Sequence, residues 1–164
     1  MEETKYITAL FEATQESAQN ASQCNKAQVG AVIFERVHGI PHVVSFGCNH
    51  TYPVSCKDYG CKRMAVYGED SDKHRLPSDC RAIHAEIDAI AFAAKEGIYT
   101  NGLSMLITRY PCESCAKAIV SAGIYKVYYG GKQLISEETK AIFDDAGVTV
   151  IHLLEGEDYE VECK

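Results

Sequence analysis

The sequence lacks a hydrophobic run long enough to cross a membrane. Its longest apolar stretches are far shorter than the roughly 20 residues that a spanning helix requires. The N-terminal residues 1–5 are net acidic and contain no hydrophobic segment typical of a signal peptide. We therefore expect a cytoplasmic protein with no membrane partner.

Positive charge is also scarce. Lys and Arg number 16 against 23 Asp and Glu, which gives a formal net charge of −7. A protein that grips a nucleic-acid backbone usually carries a basic patch or a high pI. This composition argues against a long nucleic-acid partner, whereas a mononucleotide needs only two or three donors. Internal repeats and low-complexity segments are absent as well.

What is present is a regular alternation of helices and strands. Hydrophobic periodicity, turn residues and caps predict the order α-β-β-α-β-α-β-α-β. The first two strands are expected to form an antiparallel hairpin, and the helical crossovers make the other strands parallel. We therefore predict an α/β fold with three α-β-α layers around a five-stranded mixed sheet. The predicted helices cover 3–20, 83–96, 111–123 and 136–147, and the strands cover 29–34, 42–46, 103–108, 126–129 and 148–154.

One domain is expected over residues 1–154. Within it, residues 50–80 form a polar, cysteine-bearing insert with no predicted helix or strand. A loop of this length inside a compact domain is uncommon unless it is functional, disordered or pinned, and its cysteines favour pinning. Residues 155–164 are mostly acidic and predict a loose tail.

A split motif carries the chemistry: His84-Ala85-Glu86, then Pro111-Cys112-Glu113-Ser114-Cys115. Cys112 and Cys115 are three residues apart at a helix start, so both sulfurs face one side, where the helix dipole favours thiolates. His84 begins another predicted helix. If the two helices pack side by side, one imidazole and two thiolates converge and can hold zinc with its fourth position open.

This arrangement is the pattern of zinc-dependent nucleobase deaminases. Zinc lowers the pKa of its bound water to about 7, and the resulting hydroxide attacks C4 of a cytosine-type ring. Glu86 is the expected catalytic residue, taking the water proton, passing it to ring N3 and then protonating the departing amine. Alone, C-x-x-C also fits a redox pair or half of a structural zinc site, and H-x-E is uninformative. The combination in this order favours the deaminase.

At this point the chain resembles the deoxycytidylate (dCMP) deaminases of the cytidine deaminase-like superfamily. The resemblance covers about residues 20–153 and rests on the blocks 28–33, 83–90 and 108–124. It implies hydrolysis of dCMP to dUMP and ammonia, a catalytic zinc, a small-molecule nucleotide substrate and a homo-oligomer.

The resemblance also implies substrate contacts. Gly47-Cys48-Asn49 matches the family's pattern, in which Asn49 would bind the deoxyribose hydroxyl; an asparagine that merely ends a strand is the plainer alternative. Ala85, through its backbone, and Thr108 match positions that approach the nucleoside. Phosphate binding stays unassigned, with five candidates that are equally consistent with surface charge: Lys26, Lys57, Arg63, Arg75 and Arg109.

Some members of the family carry a second, structural zinc. By that resemblance Cys24, Cys56, His74 and Cys80 would be its ligands, with Cys61 as a competitor. A closed site of four ligands would pin the insert. The alternative is a set of separate thiols.

Other functions stay open. The nearest rivals are deaminases of another cytosine nucleotide or nucleoside, including 5-substituted dCMP, and then those acting on tRNA adenosine, riboflavin precursors or free bases. A non-catalytic zinc-binding module is the rival of another class. Glu86 argues against that module, because a structural site has no use for an unligated carboxylate beside the metal.

Overall fold

A mixed sheet of six strands forms the centre of the fold. The computed structural model describes residues 2–68, 80–132, 135–153 and 160–162. Its helices are α1 (Glu2–Ala21), α2 (Cys56–Tyr59), α3 (Lys62–Tyr67), α4 (Ala85–Lys95), α5 (Glu113–Ser121) and α6 (Glu137–Asp145). Its strands are β1 (Gly30–Val37), β2 (Ile40–Cys48), β3 (His50–Thr51), β4 (Ala82–Ile83), β5 (Ser104–Ile107), β6 (Lys126–Tyr129), β7 (Thr149–Leu153) and β8 (Glu160–Glu162).

The strand order is β2-β1-β5-β6-β7-β8. β1 pairs antiparallel with both β2 and β5, and the turn between β1 and β2 has both His38 and Gly39 at positive φ. β5, β6 and β7 are parallel to one another, as their helical crossovers require. The carboxyl ends of β5 and β6 therefore lie at one edge of the sheet, where α5 and α6 are entered.

Side-chain alternation divides the core into two layers. Ala31 and Ile33 of β1 face a cluster beneath α4, α5 and α6, whereas Val32 and Phe34 face the cluster covered by α1. Ile7, Leu10 and Phe11 provide the apolar side of α1, as their helical spacing predicts. Helices thus cover both faces of the sheet.

The predicted α/β class and the five predicted strands of the mixed sheet are confirmed, with element ends differing by only a few residues, and β8 adds a sixth strand at one edge. Ile83, placed by prediction in a helix, lies in β4 instead, and α4 begins at Ala85. The hairpin turn is also tighter than predicted, because β1 extends to Val37 and β2 begins at Ile40.

Two predictions of irregular structure are wrong in part. The insert contains α2 and α3, with Ser55 capping α2 by accepting a bond from the Lys57 N–H, and β3 pairs with β4 to join its two ends. Glu160–Glu162 form β8 on the open edge of β7, where the tail was expected to be loose. Such short segments carry too little periodicity to be recognised in sequence. Residues 154–159 and 163–164 of that region lie outside the described residues.

In the described part of the chain, no helix combines the length and the apolar character that crossing a bilayer demands.

Candidate metal centre and its cavity

Two helix starts converge at the carboxyl edge of the sheet. His84 is the N-cap of α4 and Cys112 is the N-cap of α5, with Cys115 in the first turn of α5. Neither residue uses its side chain in a capping hydrogen bond to its helix. The imidazole and the thiol are therefore available to a ligand in front of both helices.

The three side chains lie at ligand distance from one another. Nδ1 of His84 is 3.6 Å from Sγ of Cys112 and 3.4 Å from Sγ of Cys115. A tetrahedral zinc with Zn–S and Zn–N bonds of usual length separates nitrogen from sulfur by about 3.6 Å. The donor set therefore fits zinc. Among the described residues, this is the one group of three such side chains whose ligand atoms all lie within 4.8 Å.

The thiols of Cys112 and Cys115 have pKa values shifted in opposite directions. Hydrogen bonds from the Cys115 thiol and then from His84 lower the pKa of Cys112 to about 3. The same bond with Cys112, followed by burial, raises the pKa of Cys115, and the bond to Cys112 raises the pKa of His84. One thiolate is thus stabilised within the group itself. Zinc needs both thiolates, so its binding must release the remaining thiol proton.

Glu86 lies beside this group and is only 4% exposed. Burial is the main cause that raises the pKa of its carboxyl, and its hydrogen bond with Cys115 acts in the opposite direction. A carboxyl with a raised pKa exchanges a proton more readily near neutral pH than an ordinary surface glutamate. It is placed to move protons next to a metal without being one of the three ligands.

His84, Cys112 and Glu86 line a cavity of about 160 Å³. Among the lining residues, Glu86 is buried and Arg109 is exposed, so Arg109 lies on the solvent side of the cavity. Asn49, as predicted for a substrate contact, also lines it. The complete lining is Ala27, Val29, Asn49, His84, Glu86, Arg109, Tyr110 and Cys112. Val29 and Tyr110 lie in the blocks that carry the family resemblance but were given no site role, and Ala27 lies just outside those blocks.

Asn49 is held in one orientation. It is 5% exposed, and its side-chain oxygen accepts a hydrogen bond of 2.8 Å from the Val29 N–H. Its amide nitrogen is therefore left to donate into the cavity. Thr108 and Ala85 differ from this: the Thr108 hydroxyl accepts a bond of 2.9 Å from the Gly30 N–H, Ala85 is fully buried, and neither lines the cavity.

Close packing holds α4 against β2. A Cβ at Gly47 would lie 2.3 Å from both the Ala85 carbonyl oxygen and the Ala89 nitrogen, so only glycine fits there. The Ser45 hydroxyl donates to the Ala89 carbonyl at 2.7 Å. This contact fixes the zinc-ligand end of α4 relative to the end of β2, where Asn49 lies.

Asp88 completes the contact between α4 and β2, and sequence reasoning missed it. Its Oδ2 accepts a bond of 3.1 Å from the Cys48 N–H, and its Oδ1 lies 3.8 Å from Nδ1 of His50. Its position four residues after His84, on the same helix face, was the available signal.

A second set of thiols gathers where the insert meets the segment after α1. We call Cys24, Cys56, Cys61 and Cys80 the insert cluster. Burial, and then the proximity of the other three thiols, raises the pKa of Cys56. The Asn25 side chain donates to the Cys56 carbonyl at 2.8 Å, which ties the two segments together. No three of these four sulfurs lie within 4.8 Å of one another in the described structure, and His74 falls outside the described residues.

A family model agrees with this site. The model described as the cytidine and deoxycytidylate deaminase zinc-binding region matches residues 4–131. That span is more than half of the chain, and it includes His84, Glu86, Cys112 and Cys115.

Curated relatives give the same indication. The chain is 34% identical over 131 residues to ComE operon protein 2 of Bacillus subtilis, covering 79% of this chain and 61% of that protein. It is 30% identical over 135 residues to deoxycytidylate deaminase of Saccharomyces cerevisiae, covering 81% of this chain and 40% of that enzyme. Human deoxycytidylate deaminase is 35% identical over 139 residues, covering 81% and 71%. The chain thus spans less than two thirds of the first two relatives.

Solved structures share the fold. The dCMP deaminase of the cyanophage S-TIM5, crystallised with dCMP and dUMP, superimposes with a TM-score of 0.66 at 24% identity, covering 89% of this chain and 95% of that one. A diaminohydroxyphosphoribosylaminopyrimidine deaminase/reductase of Thermotoga maritima gives 0.59 at 19% identity, covering 93% of this chain and 37% of that one.

Proposed function

This chain belongs to the cytidine and deoxycytidylate deaminase zinc-binding family, and on that basis we propose that it hydrolyses dCMP to dUMP and ammonia. The observation that carries the proposal is the approach of His84 Nδ1 to the sulfurs of Cys112 and Cys115, with the buried carboxyl of Glu86 in the same cavity. Relatives named as deoxycytidylate deaminases support the choice of substrate.

His84, Cys112 and Cys115 are the proposed ligands of the catalytic zinc. Zinc bound there would leave one coordination position open and lower the pKa of water at that position to about 7. The group is preformed, so little rearrangement is needed to bind the ion.

Glu86 is the proposed proton carrier. Its carboxylate takes a proton from the attacking water as the oxygen bonds to C4 of the cytosine ring, and delivers that proton to ring N3. It then takes the proton of the new C4 hydroxyl and delivers it to the exocyclic amine, so that the C4–N bond breaks, the C4 oxygen becomes the uracil carbonyl and ammonia leaves. Burial keeps Glu86 away from bulk water and raises its pKa, which supports both directions of transfer.

Asn49 is the proposed contact to the deoxyribose. Its free amide nitrogen, presented to the cavity by the bond from Val29, supports donation to a sugar hydroxyl. The predicted roles of the Ala85 backbone and Thr108 remain proposals, and each needs the substrate to reach beyond the cavity lining. Thr108 instead supports the site indirectly, because its bond to Gly30 holds the segment before α5 against β1.

A second zinc remains part of the proposal. The clustering of Cys24, Cys56 and Cys80 supports it, and Cys61 belongs to the same cluster as the competing ligand. His74 stays a predicted ligand. Metal analysis of the purified protein should give two zinc ions per chain, and a result of one would remove the second site.

We also propose a cytoplasmic homo-oligomer. The seven described cysteines are all free thiols, as expected in a reducing compartment. The homo-oligomer is what the resemblance to the deoxycytidylate deaminases implies. Light scattering on the purified protein tests this, and a monomer at micromolar concentration would contradict it.

A substrate panel tests the reaction. The purified protein should release ammonia from dCMP, with a weaker reaction or none from cytidine, dCTP and 5-methyl-dCMP, and none from adenosine or guanine. The fall in ultraviolet absorbance on conversion to uracil gives the rate. Reaction with adenosine or guanine alone would overturn the pyrimidine assignment.

A further inference from the structure

Arg109 stands out among the residues that line the cavity. It lies between β5 and α5, one residue beyond Thr108, and its side chain is exposed on the solvent side of the cavity. Its guanidinium carbon is 5.4 Å from the centre of the Tyr110 ring, within the range of a cation–π contact. The half-buried Tyr110 also lines the cavity, so this contact holds the guanidinium near the opening.

The charge of Arg109 is uncompensated. In the described part of the chain, its side chain forms neither an ion pair nor a hydrogen bond, although acidic residues outnumber basic ones. It is the only permanently charged cation among the described lining residues. A guanidinium already paired with a carboxylate would have to give up that partner to bind an anion, and Arg109 does not.

The other four cations considered for phosphate binding have no such placement. Lys26 is exposed beside the lining residue Ala27 but does not line the cavity itself. Lys57 lies in α2 and Arg63 in α3, and neither lines it. Arg75 lies outside the described residues.

We propose that Arg109 binds the phosphate monoester of the substrate and so selects a nucleoside monophosphate over the nucleoside. This rests on the proposed function, which places the pyrimidine ring beside Glu86. Asn49 and Glu86 are both buried, whereas Arg109 is exposed, so a substrate whose base reaches Glu86 directs its remaining group toward the solvent side, where Arg109 lies. A guanidinium offers two parallel N–H donors to two phosphate oxygens. Because the Tyr110 ring already restricts the Arg109 side chain, less side-chain entropy is lost when the phosphate binds.

Kinetics with dCMP and deoxycytidine test the proposal. Arg109→Ala should raise KM for dCMP about 10- to 100-fold, the range expected for loss of a charged hydrogen-bonded pair, and change kcat little. The parameters for deoxycytidine should not change, and Arg109→Lys should recover part of the loss. Lys117→Ala, an exposed charge on α5 that does not line the cavity, is the matched control and should behave as the unchanged protein.

Calorimetric binding of dUMP and deoxyuridine separates this proposal from the reaction itself. The unchanged protein should bind dUMP at least about tenfold more tightly, and Arg109→Ala should remove that preference. If the preference exists and depends on Arg109 but no cytosine compound is deaminated, only the proposed function fails. If dCMP is deaminated but Arg109→Ala weakens dCMP and deoxycytidine equally, or weakens neither, the phosphate role of Arg109 is wrong.

Discussion

His84, Cys112 and Cys115 form the proposed catalytic cluster, and they offer a metal the same kind of ligands as the insert cluster, but only the first set is already at ligand distance. His84, Cys112 and Cys115 lie within 4.8 Å of one another on the ends of helices that are packed on the sheet. In the insert cluster the other three thiols raise the pKa of Cys56, yet no three of the four sulfurs lie within 4.8 Å of one another in the described structure.

The difference follows from what carries each ligand. The catalytic ligands begin α4 and α5, whose buried faces contain Ala85, Ala89, Cys115 and Ile119. The insert cluster depends on short helices and on segments joined by single bonds, such as that from Asn25 to the Cys56 carbonyl. We therefore expect the first site to exist before metal arrives and the second to be completed by its ion.

The largest expected effect is on Glu86. Glu86→Gln keeps the size of the side chain but removes proton transfer, so kcat should fall by about 10³-fold. The zinc content and the melting temperature should stay unchanged, as measured by metal analysis and thermal unfolding. Glu113→Gln is the matched control, because Glu113 is an exposed glutamate in the first turn of α5. Turnover within tenfold of the unchanged protein would show that Glu86 does not carry the proton.

Exchange of a single thiol should separate the two clusters. Cys112→Ser should abolish turnover and remove one zinc ion, whereas Cys56→Ser should remove the other ion and leave turnover largely intact. At a free zinc concentration 100 times the Kd of the site, a bound ion adds about 2.7 kcal/mol to the free energy of unfolding. Loss of that ion in Cys56→Ser should therefore lower the melting temperature by about 5–10 °C.

Cys48→Ser controls for the exchange of a buried thiol outside both clusters. It should retain both zinc ions. If Cys56→Ser retains both ions as well, the insert cluster is a group of separate thiols, and the contrast with the catalytic cluster disappears.

The next largest effect is expected from disturbing the packing of α4 on β2. Gly47→Ala forces the two elements apart, because its Cβ would lie 2.3 Å from backbone atoms of α4. We expect a loss of about 1–3 kcal/mol in the free energy of unfolding and a larger relative loss in kcat/KM, since His84 and Glu86 move relative to Asn49. Gly39→Ala is the control: Gly39 has open space around it, and any loss there comes from its positive φ of 83° rather than from a clash. It should lower stability without affecting kcat/KM. Equal losses of activity in both variants would contradict the positioning role of this contact.

The sequence predicted the elements that carry long periodicity and the residues that carry strong motifs. The helices of the catalytic cluster were recognisable because caps, glycines and apolar stripes agree there. α2, α3 and β8 were not, because three to six residues do not establish a period. The roles of Gly47 and Asp88 escaped because each depends on the approach of β2 to α4, a tertiary contact that no local pattern encodes. Cys24, Cys56 and Cys80 were predicted with His74 as ligands of a second zinc, and Cys61 as a competitor, but the distances between these sulfurs could not be read from the spacing.

The smallest expected effect is that of replacing Asp88. It tests whether the bond between α4 and β2 helps to place Asn49 relative to the proposed catalytic cluster. The Asp88 carboxylate, 22% exposed, accepts the N–H of Cys48, the residue before Asn49. Asp88→Ala removes a charged hydrogen bond worth about 1.5–3 kcal/mol, and we expect part of this to appear as a rise of about 5- to 10-fold in KM for dCMP. kcat should change less, because Glu86 and His84 keep their places on α4, and Cys112 and Cys115 keep theirs on α5. Asp88→Asn retains an accepting oxygen and should recover most of the loss. If kcat falls as much as KM rises, or if asparagine is no better than alanine, Asp88 acts through the metal end of the cavity or through its charge near His50 rather than by placing Asn49.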